Sequence, residues 1–231
     1  MKKVEMNLNG STLSIETGHV ARQSAGSVIV THGETSVLVA VNAAKEMRED
    51  IDFFPLQVEY RERHYAGGKI PGGFFKREAR PSENEILTSR LTDRPIRPLF
   101  PKSFKYETQV IITAMSSDGK NMADVLAGIG ASAALTISDI PFNGPIATVR
   151  VGRVEGDFVV NPTREQMEES DMEIVVSGNE KTIVMVEGEA ELISEKEFID
   201  AMKFAHGPIK ELIDLQKELA GQLEINKRPV P

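Results

Sequence analysis

Residues 67–101 read GGKIPGGFFKREARPSENEILTSRLTDRPIRPLFP, and the rest of the chain is understood outward from this stretch. Between Arg61 and Lys105 stand eleven Lys and Arg against five acids, a local balance of +6 in a 231-residue chain whose net charge is −8. An acidic protein that gathers its positive charge in one segment arranges a local field for an anion. At the centre, Phe74 and Phe75 follow Gly72 and Gly73 and precede Lys76 and Arg77. Aromatic faces beside cations on a glycine-hinged loop suit a single-stranded nucleic acid, with rings for the bases and charges for the phosphates. The same residues also suit a hydrophobic loop anchor with a solvated charged flank.

Just downstream, residues 81–85 open a helix, with Ser82 and Glu85 in capping-box register. On it Ile86, Leu87 and Leu91 are expected to face the core, while Arg90, Arg94 and Arg97 recur at helical spacing on a second face. The prolines at 95 and 98 are expected to end it. Upstream, 3–8 and 12–17 flank Asn9-Gly10 as a hairpin, because Asn-Gly tolerates positive φ. Residues 27–31 and 36–41, joined by a turn at 32–35, are nearly continuously apolar, which predicts central strands covered on both faces. A further strand over 53–60 leads into the basic segment.

Downstream, a strand over 108–114, a polar loop over 116–121 and a small-residue helix over 122–137 follow in order. That order suits either an anion cradle at a helix start or a plainly capped helix. Strands at 146–154, 158–160, 172–177 and 182–187 surround a short acidic helix at 163–169. Ser194 and Glu197 start a last helix to about Glu224, bent or broken at Gly207-Pro208, before the linker-like ending NKRPVP. Strands and interspersed helices in this arrangement predict one layered α+β domain.

Composition removes several function classes. No apolar run approaches a membrane span, and the start MKKVEMNLNG lacks the apolar core of a secretory signal. There is no cysteine, so disulfides and thiolate metal sites are excluded, in keeping with a reducing cytosol. The four histidines have no ligand spacing, and neither a Walker loop nor a GxSxG elbow occurs. The expected compartment is the cytoplasm.

The segments DFFPLQVEYRERHYAGGKIPG, GGFFKREARPSENEILTSRLTDRPIRPLFP and GASAALTISDIPFNGPIATVRVG resemble the first core domain of bacterial polynucleotide phosphorylases, and the resemblance covers nearly the whole chain. It implies a ribonuclease PH-like layered fold of mixed β-sheets packed with helices. On this basis residues 1–207 are the first core, and 208–231 end its last helix and begin a linker to a helical domain. Such enzymes degrade RNA from the 3′ end with inorganic phosphate, releasing nucleoside diphosphates, reversibly. The resemblance implies a homotrimer, single-stranded RNA and RNA-degradation complex proteins as partners, and magnesium bound by a second core.

Matched residue by residue, the resemblance divides the chain. Phe74, Phe75, Lys76 and Arg77 match the loop at the neck of the trimer's RNA channel, with Lys76 where an arginine is common. Arg80, Arg90, Arg94 and Arg97 are candidates for the same channel, or for structural ion pairs. In the region of the catalytic acids, Met167 stands for one aspartate, Glu173 for the other and Val175 for a lysine. Methionine and valine offer magnesium no oxygen ligand, so no catalytic or metal residue is expected in this half. Asp171 and Glu173 then read as polar positions at a strand edge. The leading reading is therefore an RNA-channel half of a phosphorolytic exoribonuclease. A self-sufficient ribonuclease PH-type enzyme and a pure assembly module are the alternatives.

Overall fold

Asn9 and Gly10 take φ of 48° and 77°, and through this two-residue turn β1 (Lys2–Leu8) pairs antiparallel with β2 (Ser11–Thr17) as the sequence predicts. The computed structural model describes residues 1–47 and 51–230, the side chain of Phe75 excepted. A second hairpin, β3 (Gly26–His32) and β4 (Thr35–Met47), closes through Gly33 and Glu34. With β5 (Leu56–Glu62) and β6 (Tyr106–Ser116) these strands form a mixed sheet in the order β1-β2-β3-β4-β6-β5, in which only β5 and β6 run parallel. A second, antiparallel sheet orders β10 (Ile183–Ala190), β9 (Met172–Gly178), β7 (Ala147–Val154) and β8 (Asp157–Val160). Two helices, α2 (Ala123–Ile137) and α4 (Glu195–Gly221), contact both sheets and fill the layer between them.

β3 and β4 are interior strands, but only one of their faces is fully covered. Val37, Val39 and Val41 are inaccessible under α2, whereas Leu38 and Ala40 are half-buried and their neighbours Ile111 and Met115 exposed. Their β-branched composition reflects a preference for the pleated strand, which is satisfied with one face packed. β5 begins at Leu56, three residues later than the sequence predicts. Phe54 turns inward instead, its ring 4.6 Å from Phe100 and 6.0 Å from Phe104.

The helix α1 (Glu83–Ile96) carries its full capping box: Glu85 N–H donates to Ser82 Oγ and Ser82 N–H to Glu85 Oε2. Its inner face is not the one expected. Ile86 and Leu87 are exposed, and Glu85, Thr88, Thr92 and Ile96 are buried. The cause is what α1 covers, namely the free edge of β5. Tyr60 N–H donates to Ser89 Oγ at 3.0 Å and Glu62 N–H to Glu85 Oε1 at 2.9 Å, so the edge amides need polar side chains opposite them. Pro95 lies inside α1, which ends one residue beyond it; in the last turn its missing N–H removes a single hydrogen bond.

α4 likewise runs unbroken through Pro208, and ends at Gly221. Burial of Ala201, Ala205, Ile209, Leu212, Ile213 and Leu219 on one face outweighs the loss of one backbone donor. A short helix α3 (Arg164–Glu168) is capped by Thr163 with Gln166. The terminal segment that reads as a linker is fastened down. Lys227 Nζ donates to the carbonyls of Leu135 (2.8 Å) and Ile140 (2.9 Å), and Arg228 pairs with Asp139 (2.6 Å). Lys227 thus satisfies carbonyls at and just beyond the C-terminal end of α2, while Arg228 also donates to the Ala44 carbonyl of β4 at 2.8 Å.

Candidate nucleic-acid interface

The loop over 67–80 leaves the body after a 3-10 turn (His64–Gly67) and returns just before Ser82. Gly68 and Gly73 adopt φ of 67° and 63°, which permits the tight reversal there. Phe74 is 97% exposed in a second 3-10 turn (Gly73–Phe75), and Ile70 is 92% exposed. The side chain of Phe75 lies outside the described residues. Lys76, Arg77 and Arg80 are exposed, and among the described residues none of them forms an ion pair. The structure thus presents Phe74 and three uncompensated cations on one projecting loop.

The arginines of α1 divide. Arg90 is exposed and lines, with Arg61, Pro81 and Ile86, a shallow cleft of ≈ 280 Å³ between α1 and β5. Arg94 pairs with Glu187 of β10. Arg97 holds Asp93 at 2.9 Å and donates to the carbonyls of Phe54 (3.1 Å) and Leu56 (3.0 Å), which fixes the entry to β5. Helical spacing places Arg90 and Arg94 on α1 and Arg97 at its C-cap, but among the described residues only Arg90 of the three has no ion pair.

The loop before α2 does not offer free amides. Asp118 accepts from the backbone N–H of Lys120 and Asn121 at 2.8 Å, from Glu34 N–H at 3.2 Å, and from Asn121 Nδ2 at 2.7 Å. Burial opposes the charge on Asp118, but these donors hold its carboxyl well below the usual range. The amides of Lys120 and Asn121 are thus taken by the chain's own carboxylate.

In the region of the expected catalytic acids, Met167 lies in α3 and Val175 is buried in β9. Glu173 is on β9 as well, an interior strand rather than an edge. It pairs with Arg150 at 2.9 Å, and Arg150 also holds Asp124 at 2.6 Å with its side chain only 6% exposed. Burial works against the Arg150 charge, and the two carboxylates more than offset it. Asp171 is taken by Arg153 at 2.5 Å, which also reaches Glu197 at 2.6 Å. Both remaining acids are therefore neutralised by arginine. These residues do not fit a magnesium ion, and no group of three or more His, Asp or Glu among the described residues could hold a metal.

A projecting basic loop on a two-sheet α+β body is now matched by sequence. Residues 11–141 fit the 3′ exoribonuclease family, domain 1, and residues 144–207 fit its domain 2. The chain belongs to the 3′ exoribonuclease family. It is 53% identical over 229 residues, 99% of its length, to the polyribonucleotide nucleotidyltransferase of Geotalea uraniireducens. Identity to the enzymes of the same name from Syntrophotalea carbinolica and Geobacter sulfurreducens is 57% over 218 residues (94% of the chain) and 54% over 228 residues (99%). These relatives bear out the resemblance read from the basic stretch. The chain spans about a third of their length (33%, 31% and 33%).

Two features of this exoribonuclease-family chain escape the sequence reading. Arg150 is one, although a lone arginine within the apolar run ATVRV signals a buried charge in need of partners. Glu78 is the other, the single acid of the 67–80 loop. Its partner His64 carries no signal at all, being one of four scattered histidines.

Proposed function

We propose that this chain is the RNA-guiding first core of a 3′-to-5′ phosphorolytic exoribonuclease like its polyribonucleotide nucleotidyltransferase relatives. The observation that carries the reading is the projecting loop, with Phe74 almost wholly exposed beside the uncompensated Lys76, Arg77 and Arg80. An exposed aromatic face beside cations suits a base stacked on the ring and phosphates paired with the charges. Residues 1–207 act as the core, and 208–231 end its last helix, whose Ile209, Leu212, Ile213 and Leu219 pack in that core, and begin a linker toward a helical domain. Three copies surround a channel whose neck is formed by their 67–80 loops, with Arg90 continuing the cationic path and Arg94 and Arg97 bracing it. Phosphate is the co-substrate and magnesium serves a second core; in this one Arg150 and Arg153 pair with the remaining acids. The enzyme works in the cytoplasm, alongside RNA-degradation proteins.

Two measurements test this. Titration with single-stranded RNA at several salt concentrations should show Lys76→Ala/Arg77→Ala lowering the log–log salt slope by about 0.7 for each phosphate that is no longer neutralised. Phe74→Ala/Phe75→Ala should weaken binding by roughly 1–3 kcal/mol per ring with the slope kept. Unchanged binding in both variants would mean that the loop is a structural anchor. Separately, the chain incubated with RNA, phosphate and magnesium should release no nucleoside diphosphate. Release abolished by Glu173→Gln would instead make it a self-sufficient enzyme.

A further inference from the structure

Glu78 stands where the 67–80 loop rejoins the body, with φ at 46°, a left-handed conformation uncommon for a residue with a side chain. Its Oε1 accepts the His64 backbone N–H at 2.8 Å and faces His64 Nδ1 at 2.5 Å, which places the ring proton on Nδ1. Arg63 Nη1 donates to the Glu78 carbonyl at 2.8 Å, and the Arg63 guanidinium lies 3.9 Å from Oε2. His64 serves the other end of the loop too, because its carbonyl accepts the Lys69 N–H at 2.9 Å. One residue therefore ties the entry and the exit of the loop together.

Among the described residues the ties at the neck of this loop are polar. From 67 to 77 no described residue is buried, so core packing does not hold the loop's shape. An exposed ion pair alone contributes little. Here the carboxylate also takes a backbone N–H and closes a loop, so its loss loosens the neck, leaving only the backbone ties through Arg63 and Lys69. We infer that His64 and Glu78 are positioning residues that close the neck of this loop and fix where Phe74, Lys76 and Arg77 meet single-stranded RNA. The inference rests on the RNA-guiding reading above. The two His64 hydrogen bonds also hold the Glu78 carboxyl below its usual range, so the tie is ionised on its acidic side at neutral pH.

The test follows binding of a labelled single-stranded oligoadenylate, hydrogen exchange of the 68–77 amides, and thermal melting. Variants are Glu78→Ala, Glu78→Gln, His64→Ala and His64→Asn, with Phe74→Ala as the control for the loop itself. Glu78→Ala and His64→Ala should weaken RNA binding about three- to tenfold and speed exchange across 68–77, because the loop must be ordered on binding. His64→Asn, which keeps an N–H donor near the Nδ1 position, should recover most of the affinity, and melting should not move. If Glu78→Ala fails to fold, Glu78→Gln and the two His64 variants carry the comparison. The clamp is refuted on its own if Phe74→Ala weakens binding but Glu78→Ala and His64→Ala do not, or if His64→Asn is no better than His64→Ala. If Phe74→Ala binds like the parent, or the parent binds no RNA, the RNA-guiding reading falls and takes the clamp with it.

Discussion

Arg150 projects from β7 between Asp124 and Glu173, at 2.6 and 2.9 Å. Replacing it with alanine would leave two carboxylates facing each other in a site that excludes most water, and the penalty for orphaning buried charge exceeds what the pair itself contributes. We expect Arg150→Ala to cost about 3 kcal/mol, at the low end of the range for buried pairs because Glu173 is 38% exposed. Arg150→Lys should cost less, since it keeps the charge but loses the bidentate grip on Asp124. Urea unfolding midpoints decide it, and an Arg150→Ala variant as stable as the parent would remove the structural role. The sequence made Glu173 visible as a misplaced acid but not Arg150 as its partner, because the pairing spans two strands and no local spacing announces it. The same holds for Arg94 and Arg97: helical spacing gives their row on α1, whereas Glu187 and the carbonyls of Phe54 and Leu56 come from elsewhere in the fold.

Helix starts were the most legible elements, and α1 and α4 show why. A capping box is written within four residues, so Ser82 with Glu85 and Ser194 with Glu197 needed no tertiary information. Ser82→Ala and Ser194→Ala should each lose about 1 kcal/mol in chemical denaturation. Glu197 adds a pH dependence. Hydrogen bonds from Ser194 and then from Arg153 draw its carboxyl down to about 2. Its folded-state value lies below that of the unfolded chain, so its stabilisation is complete above the ordinary carboxylate range, about 4.3, and is lost as pH falls toward 2. Glu197→Gln should therefore flatten the acid side of the stability profile below about pH 4.3 and leave the neutral side parallel to the parent. A profile of unchanged steepness in that window would show that the carboxylate is not linked to folding. The face of α1 was illegible for the opposite reason. Ile86 and Leu87 follow an apolar pattern, but the neighbour they would have faced is a strand edge whose amides require Glu85 and Ser89. Hydrophobic periodicity presumes an apolar partner and fails where an element covers exposed backbone.

For the whole molecule, the sequence pointed to a single layered domain, while the family match falls in two consecutive parts, residues 11–141 and 144–207. The structure joins those parts through α2. That helix is buried from Val125 to Leu135, and its glycines lie against different sheets. A Cβ on Gly130 would come 2.6 Å from Val39 Cγ2 in the first sheet, and one on Gly128 would come 2.6 Å from Thr148 Oγ1 in the second. Val39 and Thr148 are β-branched residues within paired strands, so neither can turn aside freely. Gly130→Ala and Gly128→Ala should each destabilise the protein by about 1–3 kcal/mol through overpacking, partly offset by alanine's better helix propensity. The informative quantity is which amides respond. If α2 and α4 make one cooperative unit of the two sheets, Gly130→Ala lowers hydrogen-exchange protection in β7 and β9 as much as in β3 and β4, although its clash is confined to the first sheet. Gly128→Ala should do the same from the other side. Two separable unfolding transitions, with each substitution moving only the sheet it touches, would mean that the two matched parts fold as independent units that merely share a helix.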